Sequence, residues 1–192
     1  MKTCLTPQAV QAVAAGDNRL LALISAETLD RSSEVLLAGG AELDSYRRNP
    51  VLLWAHNPEL PPIGRAVEIS AEPGVGVWAV NEFAPTPFAQ EIRELYEEGF
   101  LNAFSVGFRP LEIDARPVAR GQRGPTVLRW ELVEQSAVAV PANPDALVAA
   151  AAAGNRAADW LLKTYYVEPA DPLGAVRAEL AALRADLARH GG

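Results

Sequence analysis

Cysteine is nearly absent. The chain has 192 residues and one cysteine, Cys4. That excludes an intramolecular disulfide and any multi-cysteine metal centre, and it fits a reducing compartment. Cys4 sits in the N-terminal segment and is not read as a nucleophile. Histidine is almost as scarce, with only His56 and His190. No HExxH pattern or histidine cluster is present, so neither a metal nor another cofactor is expected. Basic charge is in deficit: 17 Lys and Arg stand against 24 Asp and Glu, a formal charge of −7. That argues against a nucleic-acid partner. Long apolar runs are missing too. No stretch approaches the roughly 18 residues of a membrane span, and Ala149 to Ala153 is too short and too small. With no targeting pattern in the first residues, the expectation is a soluble, cytoplasmic protein without a membrane partner. Apolar residues make up 49%, enough for a packed core. The length suits one domain with an appendage.

The patterned elements follow in order. Thr6-Pro7 pairs a hydroxyl N-cap with proline at the first helical position, predicting a helix over 7–15. Residues 19–26 (RLLALISA) read as a strand, and 34–37 as a second, short one. A two-turn helix is predicted over 41–48, ended by Pro50. Residues 63–71 and 75–83 form a hairpin about Pro73-Gly74. Thr86-Pro87 starts a helix whose apolar face is Phe88, Ile92, Leu95 and Tyr96, stopped by Gly99. Residues 102–109 and 127–140 read as strands on either side of an exposed Pro/Gly/Arg-rich loop at 115–126, the second strand long enough to hold a bulge. An Ala-rich helix is predicted from about residue 144. Composition shifts near 149, which divides the chain into 1–148 and a tail, 149–192. In the tail Leu173, Val176, Leu180, Leu183 and Leu187 form a short coiled-coil-like seam. It is a face for self-association or for docking on the body.

Three polar residues stand out. The run Val51-Leu52-Leu53-Trp54 reads as a buried strand that opens, at His56, into the proline-stiffened loop Asn57-Pro58-Glu59-Leu60-Pro61-Pro62. A rigid scaffold presenting a side chain at its edge is how functional groups are often placed. A histidine that merely satisfies backbone at a strand end is the plainer reading. Strand parity puts Phe104, Val106 and Phe108 on one face of 102–109. Ser105 then lies on the other, between Ala103 and Gly107, where another backbone could approach. An ordinary strand serine fits the same pattern. Parity over 127–140 groups Glu134 with Trp130, Leu132, Ser136, Val138 and Val140. A carboxylate among apolar neighbours needs a partner, either a histidine N–H or an arginine such as Arg129 or Arg109. Glu131 has the opposite parity and ranks second. A serine, a histidine and an acid are the parts of an activated nucleophile. No Gly-x-Ser-x-Gly elbow is present, which disfavours an esterase of the common type.

The segments DRSSEVLLAGGAEL, NPVLLWAHNPELPPIG, GFLNAFSVGF and ELVEQSAVAVPANPDA, in this order, resemble the prohead maturation proteases of tailed bacteriophages, a family similar in fold and chain order to the herpesvirus assemblins. The likeness spans roughly Leu20 to Leu147. It implies an α+β fold: a small antiparallel β-barrel with flanking helices, here with a helical C-terminal tail. It also implies catalytic roles for Ser105 as nucleophile, His56 as base and Glu134 as the acidic third residue. The implied protein is a serine endopeptidase, located in the host cytoplasm inside the procapsid. It would cut scaffolding protein, or the scaffold-like part of the major capsid protein, and also itself. The alternative is an inactive assembly protein that keeps the protease fold.

Overall fold

The computed structural model describes residues 18–148. The helix expected over 7–15 and the whole tail, 149–192, with its leucine seam, lie outside those residues. Within them are eight strands. These are β1 (Arg19–Ala26), β2 (Val35–Leu36), β3 (Ala41–Glu42), β4 (Val51–Trp54), β5 (Gly64–Glu72), β6 (Gly76–Phe83), β7 (Ala103–Asp114) and β8 (Thr126–Val138). The described residues contain two α-helices, α1 (Asp44–Arg48) and α2 (Pro87–Glu97), and a 3-10 turn at Ala38–Gly40. The helix expected over 41–48 is shorter, because Ala41 and Glu42 pair with β8 as a strand.

The strands form one sheet ordered β1-β6-β5-β4-β8-β2, with β3 and β7 also on β8. β8 organises it. One edge carries β7 along its full length, from Ala103 opposite Val138 to Asp114 opposite Thr126. The other edge is shared in turn by β2, β3 and β4, all parallel to β8. The sheet is therefore mixed, which corrects the expectation of an antiparallel barrel. The parallel partners are short pieces of 2 to 4 residues. Short pieces carry too little alternation to reveal their direction.

The ring nearly closes through the segment just after β8. Leu147 bridges Ala103 and Val148 bridges Ala22, so β7 and β1 are joined by one extended stretch. Asn143 to Asp145 is a turn, not the start of the expected helix. Asn143 donates to the Ala26 carbonyl at 2.9 Å, and Thr28 Oγ1 donates to Asp145 at 2.8 Å. Arg31 Nε donates to the Pro141 carbonyl at 2.9 Å. These bonds tie residues 141–145 to the end of β1 and the β1–β2 loop and hold them in a turn.

α2 begins as expected: Thr86 Oγ1 accepts from the Ala89 N–H, and Pro87 is the first helical residue. Its buried face is Ala89, Ile92 and Tyr96, whereas Phe88 and Leu95 are partly exposed. The stripe is rotated by about one position from the expected one. Tyr96 stacks on Phe104 with ring centroids 5.0 Å apart, and its hydroxyl donates to the Ala103 carbonyl at 2.7 Å. The helix thus clamps β7 immediately before Ser105. β7 runs past Pro110, beyond the expected end at Arg109. Phe104 N–H points away from β8, to the Ala146 carbonyl. Pro110 has the same parity, so its missing N–H falls on the edge away from β8, where proline is tolerated.

Trp130, Leu132, Leu52, Phe83 and Phe104 are fully buried in the core. Among them lies a polar cluster. Gln135 donates to Asn81 at 2.7 Å and to the Tyr46 hydroxyl at 2.8 Å, and that hydroxyl donates to the Val51 carbonyl at 2.9 Å. Burial pushes the Tyr46 hydroxyl well above its usual pKa, with the Gln135 bond opposing and the Glu134 charge adding. It therefore stays a proton donor. Unmade bonds here would cost about 1–3 kcal/mol each, so the cluster fixes the register of β8 against β6, α1 and β4. Glu134 and Ser136, flanking Gln135, point to the opposite face.

Candidate active site

β8 carries a bulge. Gly107 pairs with Glu134, but the next residue, Phe108, pairs with Leu132, so Val133 is extra. It is 58% exposed. An extra residue reverses the alternation beyond it. Trp130 and Leu132 therefore share the core face with Gln135 and Ala137, while Glu131, Glu134 and Ser136 lie on the other. The expected grouping of Glu134 with Trp130 and Leu132 is corrected. So is the expectation that Glu131 points the opposite way. Glu131 pairs with Arg109 and lines a separate groove of about 640 Å³ with Glu42, Asp44 and Glu72.

His56 follows β4 in a tight turn. Asn57 N–H donates to the Trp54 carbonyl at 3.0 Å, and both central residues are left-handed, Ala55 at φ 53° and His56 at φ 58°. This is the mirror-image turn usually occupied by Asn-Gly. Ala and His each carry a Cβ, and a left-handed conformation costs such residues roughly 1–2 kcal/mol apiece. The strain aims the imidazole across β8. His56 Nδ1 lies 2.6 Å from Glu134 Oε1. With a carboxylate accepting, Nδ1 carries the proton and Nε2 is left as the open acceptor. The His56 side chain is 42% exposed and that of Glu134 15%. The Glu134 hydrogen bond, chiefly, raises the His56 pKa; partial burial opposes it and the Glu134 charge adds to the rise. The free-base form is accordingly lost as pH falls through a value above the ordinary ~6.5.

Ser105 is on the same face. It is directly opposite Ser136 in the β7–β8 ladder, which sets their Cβ atoms about 5 Å apart. The structure thus joins His56 to Glu134 directly and sets Ser105 beside them, with no hydrogen bond from Ser105 to the imidazole. Ser105 is buried. It lines a small cavity of about 20 Å³ at the seam between β1 and β7, with Ile24, Ser25, Val106 and Phe108, closed by Ala142 and Asn143.

Two neighbours matter that the strand pattern did not single out. Ser136 Oγ donates to Glu134 Oε2 at 2.7 Å and accepts from the His56 backbone N–H at 3.1 Å. Its position two residues from Glu134 was the available signal. Gly107 leaves room on this face. What fills the room is the Glu134 carboxylate: a Cβ on Gly107 would lie 2.3 Å from Oε1. The clash is with the end of a flexible side chain, so Gly107→Ala is expected to fold. It should swing Glu134 off His56, and a misplacement of about 1 Å can cost ~10²-fold in rate. Cleavage kinetics on the folded variant check this; an unchanged kcat would mean Glu134 finds an equivalent position.

A histidine held by a carboxylate, beside a strand serine on the wall of a nearly closed sheet, brings together the groups that nucleophilic hydrolysis uses. Residues 26–159 match the family model of the caudovirus prohead serine proteases. The chain belongs to that family, a family of serine peptidases of phage capsid maturation. A capsid polyprotein of Pseudomonas phage PAJU2 is 28% identical over 158 residues, covering 77% of this chain and 22% of that protein. The chain therefore spans about a fifth of the length of that relative. No solved structure matches it. No helix among the described residues is long and apolar enough to cross a membrane, and those residues hold no group of metal-ligating side chains.

Proposed function

We propose that the chain is a serine endopeptidase that cuts scaffolding protein, or the scaffold-like part of the major capsid protein, and also itself, inside the procapsid. The observation that carries this reading is the 2.6 Å contact between His56 and Glu134 on the face that bears Ser105. Ser105 Oγ attacks the scissile carbonyl carbon while His56 Nε2 takes its proton. The tetrahedral adduct collapses, the C–N bond breaks, and His56 returns the proton to the leaving amine. Water then hydrolyses the acyl-enzyme by the same route. Glu134 holds the Nδ1 proton and stabilises the imidazolium without taking the proton. A relative named a capsid polyprotein supports a capsid precursor as substrate. Residues 1–148 make up the catalytic domain and 149–192 a tail that contacts the scaffold or a second copy. An inactive assembly protein would not need a strained turn that presents a carboxylate-bound histidine.

Co-expression with the phage's scaffolding and capsid proteins, followed by mass spectrometry of new chain ends, tests the proposal. New ends that vanish with Ser105→Ala are expected. Intact precursors beside a folded full-length chain would overturn it.

A further inference from the structure

Ser136 takes no step in the chemistry above, yet it touches both halves of the histidine–carboxylate pair. We propose that Ser136 is a positioning residue that locks the left-handed His56 turn and the Glu134 carboxylate into one closed unit; this rests on the peptidase reading of the site.

The unit is a ring of three bonds. His56 N–H donates to Ser136 Oγ at 3.1 Å, Ser136 Oγ donates to Glu134 Oε2 at 2.7 Å, and Glu134 Oε1 meets His56 Nδ1 at 2.6 Å. The hydroxyl has one proton and two lone pairs. Its proton goes to the carboxylate and a lone pair takes the backbone N–H, so the roles are complementary. The terminal torsion of a glutamate is soft and roughly two-fold. With only Oε1 engaged, the carboxylate could rotate about that bond and lose its line to the ring. With Oε2 also held, it cannot. Ser136 Oγ also anchors the peptide N–H of His56, which sits at φ 58°, a conformation that persists only where its surroundings hold it. The other anchor of the turn is the Ala55 N–H, which donates to the Ala137 carbonyl at 2.9 Å. Two successive residues of β8 thus grip two successive residues of the turn. Ser136 is fully buried, so water does not replace its hydroxyl without rearrangement.

The test uses the full-length chain and two readouts. The first is the His56 Nδ1–H proton resonance, followed in a Ser105→Ala background so that the sample does not digest itself. A proton held between an imidazole and a carboxylate gives a sharp low-field signal; His190, the other histidine, is the internal comparison. The second is kcat and KM for precursor cleavage. In Ser136→Ala the signal is expected to broaden or vanish. kcat should fall about 10²-fold, the scale of a small misplacement, with KM within about twofold of wild type on the same grounds. Either readout at its wild-type value overturns the proposal. If Ser136→Ala does not fold, Ser136→Cys keeps the size of the side chain with a weaker donor and acceptor. Both readouts should then lie between serine and alanine behaviour, and wild-type values in Ser136→Cys overturn the proposal equally. The resonance is read without any cleavage. A wild-type chain that cuts nothing would therefore sink the peptidase reading while still showing whether Ser136 holds the pair.

Discussion

Ser105→Ala and His56→Ala are each expected to leave capsid and scaffold precursors uncut on a gel time course. Removing the nucleophile or base of a serine peptidase costs on the order of 10⁶ in kcat. That takes maturation out of any observable window. The two losses should not add, because each alone already removes the covalent route. Neither should unfold the protein. Ser105 makes no hydrogen bond to the imidazole, and its truncation removes one oxygen beside a small cavity. His56 is 42% exposed, and Glu134 keeps its bond to Ser136 when the ring is gone. Circular dichroism separates loss of fold from loss of chemistry. Full processing by folded Ser105→Ala would refute the mechanism outright.

Glu134→Gln is expected to retain slow cleavage, with a kcat about 10⁴ below wild type, the scale for the acid of a triad. The amide keeps the shape but can present its N–H₂ to the ring, which favours the wrong tautomer, and it removes the charge that stabilises the imidazolium. Glu131→Gln should be nearly silent. Both carboxylates project from the same face of β8, so facing does not separate them. Partners do: Glu134 meets His56 at 2.6 Å, whereas Glu131 pairs with Arg109 across the strand. An exposed pair of the latter kind is worth about 0–1 kcal/mol, too little to disturb a folded site. A dead Glu131→Gln with an active Glu134→Gln would reverse the assignment.

The order of elements was readable from residues because their signals are local. β1, the proline-stopped strand before His56, the β5–β6 hairpin and the capped α2 all rest on patterns within about ten residues. A bulge in the long strand over 127–140 is expected from the sequence, but its place at Val133 was not readable. The run VLRWELVEQSAV alternates acceptably in either phase, and only pairing with β7 shows where an extra residue enters. Glu134 was selected on a face it does not share with Trp130, and the pairing with His56 comes from the reversed phase. The turn at Ala55-His56 carried no glycine or asparagine to announce φ > 0. One of its anchors lies 80 residues away, in the Ser136 hydroxyl. Parallel pairing of β2, β3 and β4 to β8 was hidden for the same reason, since their partner is distant in the chain.

The arrangement of β8 also has a temporal meaning. β2, β3 and β4 all lean on a strand that emerges late from the ribosome, and β7 pairs with it as well. Contacts of such long sequence separation form slowly and late. Until Ser136 and Ala137 are in place, the histidine turn has its local Asn57–Trp54 bond but lacks both of its anchors on β8. On the proposed mechanism, cleaving competence arrives only with the completed body of the domain. A chain lacking β8 would carry both His56 and Ser105 but neither Glu134 nor the anchors of the turn, and it is expected not to cleave.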